Sequence, residues 1–182
     1  MGYRLSKIYT RTGDEGTTGL GDGSRRRKSS ARVHAMGEVD ELNSVLGMLI
    51  AMLEGEPELA DFLLTQQHRL FDLGGEISIP GSELIKPEHA MALEEQIDLL
   101  NQDLAPLENF ILPGGNALVA QVHLVRSVCR RVERWLVDLD ESETLNAGSV
   151  SYINRLSDYF FVLARHLAKR TGCKEILWQS GR

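Results

Sequence analysis

Cysteine is scarce in this chain. Only Cys129 and Cys173 occur, in no C-x-x-C arrangement, so neither a disulfide framework nor a cysteine zinc site is expected, and a reducing compartment fits. The histidines, His34, His68, His89, His123 and His166, have no ligand spacing, and no D-x-H-x-x-G stretch marks a cobalt-ligating histidine. No metal-ligating residues are assigned. Long apolar runs are missing too. The longest, Val45 to Leu53, is far too short to cross a membrane, and the N-terminus lacks the apolar core of a signal peptide. The expectation is a cytoplasmic protein without membrane contact. Positive charge does not dominate: a net charge of -6 argues against wholesale nucleic-acid binding. What remains is ordinary, because 182 residues with 42% hydrophobic and 25% charged composition suit one well-packed globular domain.

One stretch departs from that average. Thr10 to Lys28 reads TRTGDEGTTGLGDGSRRRK, with Gly13, Gly16, Gly19, Gly21 and Gly23 among threonines and acids, and Arg25, Arg26, Arg27 and Lys28 closing it. Glycines let backbone N–H groups approach an anion, threonines add hydroxyl donors, and Lys and Arg supply the charge a polyphosphate demands. Two readings stand: a phosphate-cradling loop, or a flexible arm with a solvated basic patch. The common phosphate motifs do not choose between them. A Walker A loop needs Gly before Lys-Ser, and Arg27 precedes Lys28-Ser29. Gly19, Gly21 and Gly23 have the wrong spacing for a dinucleotide fingerprint.

The remainder reads as helices. Ser29 or Ser30 is placed to cap a first helix to about Leu53, with Val39, Leu42, Leu46 and Leu49 at helical spacing. Beside that stripe run Met36, Asp40, Asn43 and Gly47, a face suited to close contact with a helix, a subunit or a ligand, or else a polar shoulder. A second helix spans Glu58 to about Ile79, weakened near its end by Gly74-Gly75, and a third runs from Pro87 to about Leu104. Asn109 to Gly115 places Phe110, Ile111 and Leu112 in a loop, where polar residues are usual. This is either a staple beneath the next helix or an apolar wedge facing a large ligand. The fourth helix, about Asn116 to Leu139, opposes its core stripe with Arg126, Arg130 and Glu133, near Arg134 and His123. A solvated ion-paired face is the ordinary explanation, although Arg also suits phosphate. The fifth spans Leu145 to Lys169 and carries Asn154 on its flank; Glu175 to Trp178 reads as a short strand. The fold class is all-α: a five-helix bundle behind a glycine-rich N-terminal loop.

Several stretches resemble one family closely: the PduO-type ATP:cob(I)alamin adenosyltransferases. They are TRTGDEGTTGLGDGSRRRK with RVHAMGEVDELNSVLG, then NFILPGG, then VRSVCRRVER and YINRLSDYFFVLAR. Met36 replaces a usual Tyr and Val125 a usual small Ala. The resemblance implies ferritin-like up-down packing in one adenosyltransferase domain over 1–182, with an ATP-binding loop at 1–28, the bundle at 29–171 and a tail at 172–182. It implies a homotrimer with active sites between subunits. ATP contacts would come from Thr10, Arg11, Thr12, Gly13, Thr18, Gly19 and Lys28, and from Arg130, Arg131, Val132, Glu133, Arg134 and Asn154. Asp40 and Arg126 would pair across the interface. Cobalt(I) of the corrinoid would attack the ribose 5′ carbon of ATP, with Lys28, Arg130 and Mg²⁺ meeting the charge of the departing triphosphate. Phe110 would exclude an axial ligand from cobalt(II). A corrinoid reductase and an adenosylcobalamin-dependent enzyme would be the partners. A non-catalytic nucleotide sensor or cobalamin chaperone is the alternative, though binding alone needs no wedge. A di-iron bundle lacks support, since Glu38, Glu41 and Glu133 have no His three residues on.

Overall fold

The computed structural model describes residues 8–181; most of the extended lead-in expected over residues 3–9 lies outside them. Two short strands, β1 (Thr17–Gly19) and β2 (Arg25–Arg27), precede five helices: α1 (Ala31–Ala51), α2 (Pro57–Ser78), α3 (Pro87–Asn101), α4 (Ala117–Asp140) and α5 (Ala147–Arg170). Helix α1 packs on α2 and α4, and α5 packs on α4 and α3. The apolar stripes of all five helices meet in one cluster, with Leu42, Leu46, Leu70, Leu93, Val132, Leu136, Ile153 and Phe160 fully buried.

Local chemistry sets the helix ends. Pro57 and Pro87 occupy first-turn positions, where their missing N–H is not needed. Asn116 caps α4 by accepting the Val119 N–H at 2.9 Å, and Asn146 caps α5 by accepting the Gly148 N–H at 3.0 Å. Ser30 stands at the N-cap of α1, but its hydroxyl makes no cap bond. Helix α2 continues through Gly74-Gly75, where weakening was expected, because Leu70, Leu73 and Ile77 anchor both sides of the pair in the core. Helix α3 stops before the expected Leu104. There Lys169 donates to the Asp103 carbonyl and Arg165 to the Ala105 carbonyl at 2.8 Å, so α5 side chains satisfy oxygens beyond the helix. The strand expected over Glu175 to Trp178 is reduced to one bridge, Ile111 with Leu177.

Buried Glu76 organises the turn after α2. Its carboxylate accepts the N–H groups of Leu84 at 2.6 Å and Ile85 at 2.9 Å, together with Asn146 Nδ2 at 3.2 Å and the Ser149 hydroxyl. Glu76→Ala orphans these donors. The expected loss is about 2–4 kcal/mol of unfolding free energy, from about 1–3 kcal/mol per unsatisfied group. Urea denaturation measures it; an unchanged midpoint refutes the assignment.

Candidate functional site

The glycine-rich segment is an ordered hairpin. Thr17, Thr18 and Gly19 pair antiparallel with Arg27, Arg26 and Arg25. Its turn is closed by Leu20 N–H donating to Ser24 O at 2.8 Å and by Ser24 N–H donating to Asp22 Oδ1 at 2.8 Å. The preceding residues fold back on it. The Arg25 guanidinium donates to the Thr12 carbonyl at 2.6 Å and to Thr17 Oγ1 at 2.7 Å, so this cation shapes its own loop. The hydroxyls of Thr10 and Thr12 lie 2.9 Å apart. The Lys28 N–H donates to Gly16 O at 2.9 Å. Its ammonium then lies across Gly13, 3.1 Å from where a Cβ on that residue would stand. Gly13 thus leaves room for a cation over bare backbone. Arg11 holds a positive φ of 61°, beside the Tyr9 ring. Thr10, Thr12, Gly13 and Lys28 are therefore brought together, with Thr18 and exposed Gly19 on the adjoining strand.

A second group lies on α4 and α5. Arg130 and Arg134 are exposed, and Arg134 donates to the Arg130 carbonyl at 3.0 Å. Glu133 accepts Asn154 Nδ2 at 2.6 Å, tying the two helices. Val132 is fully buried, so its side chain belongs to the core. Arg131 turns toward α1, where its guanidinium pairs with Glu38 and Glu41. Arg126 is half-buried and lies 5.3 Å from the centroid of the Phe161 ring. Burial, followed by the charge of Arg130, pushes Arg126 below the ordinary arginine range. Asp158 offsets this charge only in part, and a half-buried guanidinium of this kind draws an anion or a carboxylate.

Phe110 is 79% exposed, so the staple reading fails for this residue. A strap from the C-terminal tail fixes its backbone. Trp178 N–H donates to Phe110 O at 2.7 Å, Leu112 N–H to Ile176 O at 2.8 Å, and Asn109 Nδ2 to Trp178 O at 3.0 Å. The Trp178 ring meets Phe110 edge-on at 6.4 Å. Phe110 lines two cavities, of about 550 and about 650 Å³, which also share Arg126 and Phe161. The short strand expected over Glu175 to Trp178 is the part of this strap legible in the sequence; its pairing with the Phe110 loop was not expected.

Asp40 is exposed, on a groove between α1 and α2 that also involves Met36, Asn43, Phe71 and Ser78. Asp40 and Arg126 form no ion pair within the chain, and among the described residues no hydrogen bond or ion pair joins residues 10–28 to Arg130, Glu133, Arg134 or Asn154.

A family model described as cobalamin adenosyltransferase matches residues 8–167. The chain belongs to the cobalamin adenosyltransferase family. It is 52% identical to a cobalamin adenosyltransferase of Cupriavidus metallidurans over 100% of this chain and 99% of the relative. It is 41% identical to a corrinoid adenosyltransferase of Bacillus subtilis over 95% of this chain and 92% of the relative. Among solved structures it resembles a phenylalanine-to-alanine variant of a PduO-type ATP:corrinoid adenosyltransferase from Lactobacillus reuteri, complexed with cobalamin and ATP. That match has a TM-score of 0.91 and 35% identity, covering 96% of this chain and 100% of the other. These likenesses agree with the five-helix bundle.

Three histidines give this family member an expected sensitivity to acid. His123, 6% exposed, stands with Arg126 in one of the cavities beside Phe110. Burial first, and Arg126 second, push it below the ordinary 6.5. Burial likewise lowers His89 and His166. Below 6.5 the unfolded chain binds more protons than the native one, so stability present above that pH is lost as pH falls. The melting temperature is expected to drop between about pH 7 and about pH 5, less steeply in His123→Gln. A pH-independent melt contradicts this.

Proposed function

We infer that this chain is a corrinoid adenosyltransferase: it transfers the 5′-deoxyadenosyl group of ATP to a reduced corrinoid and releases triphosphate. The observation that carries the reading is Phe110, an aromatic strapped in the open at two cavities whose shared lining includes Arg126 and Phe161. A broad, flat, partly apolar ligand suits that surface. The nucleophile is the substrate's own cobalt(I), so the chain needs no serine, cysteine or histidine nucleophile. Its residues bind, orient and stabilise charge. Thr10, Arg11, Thr12, Gly13, Thr18, Gly19 and Lys28 are assigned to ATP, with Arg130, Arg131, Glu133, Arg134 and Asn154 on the helix side. Val132 is buried whole in the middle of α4, so it supports its neighbours from the core rather than touching ATP. Arg130 and Lys28 face the charge that grows on the triphosphate as the C5′–O bond breaks. Phe110 takes the place of an axial ligand below the corrin, which makes cobalt(II) easier to reduce.

Finer features belong to the same proposal. No group of three His, Cys, Asp or Glu among the described residues is arranged to hold a metal. Mg²⁺ therefore fits best as an ion carried on the ATP phosphates, its usual mode. A homotrimer would let Asp40 of one subunit meet Arg126 of the next, which lie apart within a chain. A corrinoid reductase would supply electrons and an adenosylcobalamin-dependent enzyme would take the product. No helix of the described residues is long and apolar enough to cross a membrane; a cytoplasmic site of action is part of the proposal.

The test is incubation with ATP, a corrinoid and a chemical reductant. The expected result is one triphosphate released per light-sensitive adenosylated corrinoid formed. A nucleotide sensor or corrinoid chaperone would bind both ligands and release no triphosphate.

A further inference from the structure

We propose that Arg32 and Ser78 are positioning residues that hold the basic strand β2 in its binding shape by clasping the hairpin turn before it and the first turn of α1 after it to the last turn of α2. The proposal rests on the reading of residues 10–28 as the ATP-binding segment.

Two attachments lie at consecutive residues. At one end of the span, the Gly21 N–H donates both to the Ser78 carbonyl at 2.9 Å and to Ser78 Oγ at 2.8 Å. At the other end, Arg32 in the first turn of α1 donates to the carbonyl of Ile77, the neighbour of Ser78. The span between these anchors contains Arg25, Arg26, Arg27 and Lys28. Both anchors satisfy carbonyls near a helix C-terminus, where intrahelical partners run out.

The fit around both anchors is specific. A Cβ on Gly21 would stand 2.7 Å from Ile79 Cγ1 and 2.9 Å from Ser78 Oγ, so a larger residue there would force those side chains to shift. Arg32 is 2% exposed, and its charge is balanced by Glu143 in the α4–α5 connection at 2.8 Å. A planar fork is needed to reach the Ile77 carbonyl and the Glu143 carboxylate together, and lysine lacks one. Apart from Leu20, which is buried, the hairpin strands and turn contribute no core side chain. Hydrogen bonds therefore set its position together with the single buried side chain of Leu20.

Holding the ends fixed lowers the entropy lost when the basic span closes on a polyphosphate. Loosening the clasp should thus weaken ATP binding specifically. Loss of folded protein does something different: it lowers kcat and the binding stoichiometry and leaves KM and Kd unchanged.

The experiment compares Ser78→Ala, Arg32→Lys and the double variant with the wild type. ATP Kd is measured by calorimetry, and KM for ATP, KM for cobalamin and kcat by adenosylation, all below each variant's melting temperature. Arg32→Lys is expected to raise ATP Kd and KM about three- to ten-fold, the worth of one ordinary hydrogen bond, and Ser78→Ala by less, because the Gly21 N–H keeps its bond to the Ser78 carbonyl. KM for cobalamin and kcat at saturating ATP should hold. An unchanged ATP Kd in both single variants, or reduced stoichiometry and kcat with unchanged Kd, overturns the clasp. Ser78→Ala keeps the test open if Arg32→Lys does not fold. A wild type that binds ATP without adenosylating cobalamin overturns the functional reading instead, while the ratio of ATP Kd values still reports on the clasp.

Discussion

Arg130→Ala should leave a folded protein that turns over about 100- to 1,000-fold more slowly, the usual cost of one lost transition-state donor, about 2.7–4 kcal/mol. The side chain is exposed, and no hydrogen bond from its guanidinium occurs among the described residues. Its removal therefore takes little from the fold. Lys28→Ala should behave alike, because its exposed ammonium lies over Gly13 and no core packing depends on it. The charge on the triphosphate grows as the C5′–O bond breaks, so the deficit should fall mainly on kcat. Steady-state kinetics beside a thermal melt decides the matter. Wild-type turnover in either variant removes that residue from the machinery, and a collapsed melt assigns it to structure.

Phe110→Ala has a different signature. A buried phenylalanine costs about 3–5 kcal/mol on truncation. At 79% exposure Phe110 should cost far less, and the melting temperature should change little. ATP affinity should hold too, since the assigned ATP contacts lie elsewhere. The loss should appear when the corrinoid is supplied as cobalt(II): roughly 100-fold slower conversion, equivalent to about 2.7 kcal/mol of barrier. Supplying cobalt(I) already reduced should restore much of the rate. The spectrum of cobalt(II) corrinoid bound with ATP should lose its ligand-free component. If that component persists in the folded variant, Phe110 is no wedge.

The sequence carries the bundle far more plainly than the site. Leu42, Leu46 and Leu49 on α1, and Val132 and Leu136 on α4, repeat at helical spacing, while Pro57, Pro87, Asn116 and Asn146 mark helix starts. The hairpin has no such mark. Its strands are three residues each, TTG and RRR, too short and too polar for a period of two to register. Arg25 looks like one more member of a basic run until its bonds to Thr12 and Thr17 separate it from its neighbours. Arg131 sits in an arginine pair, and only the packing of α4 on α1 assigns it to Glu38 and Glu41, whose spacing of three residues was the available hint. Residue physics alone left residues 10–28 between a cradle and a loose arm. The resemblance supplied the roles, and the backbone bonds of Gly16 and Lys28 argue against looseness.

The strap across Phe110 has a consequence for the order of events on the ribosome. Asn109 and Trp178 are 69 positions apart, so the loop emerges well before the segment that pins it. Synthesis adds about 5–20 residues per second, and a domain folds as a unit. Until Ile176 and Trp178 follow, the nascent protein has an unfastened aromatic beside an α4 that is complete. The surface around Phe110 is therefore among the last parts of the molecule to be fastened.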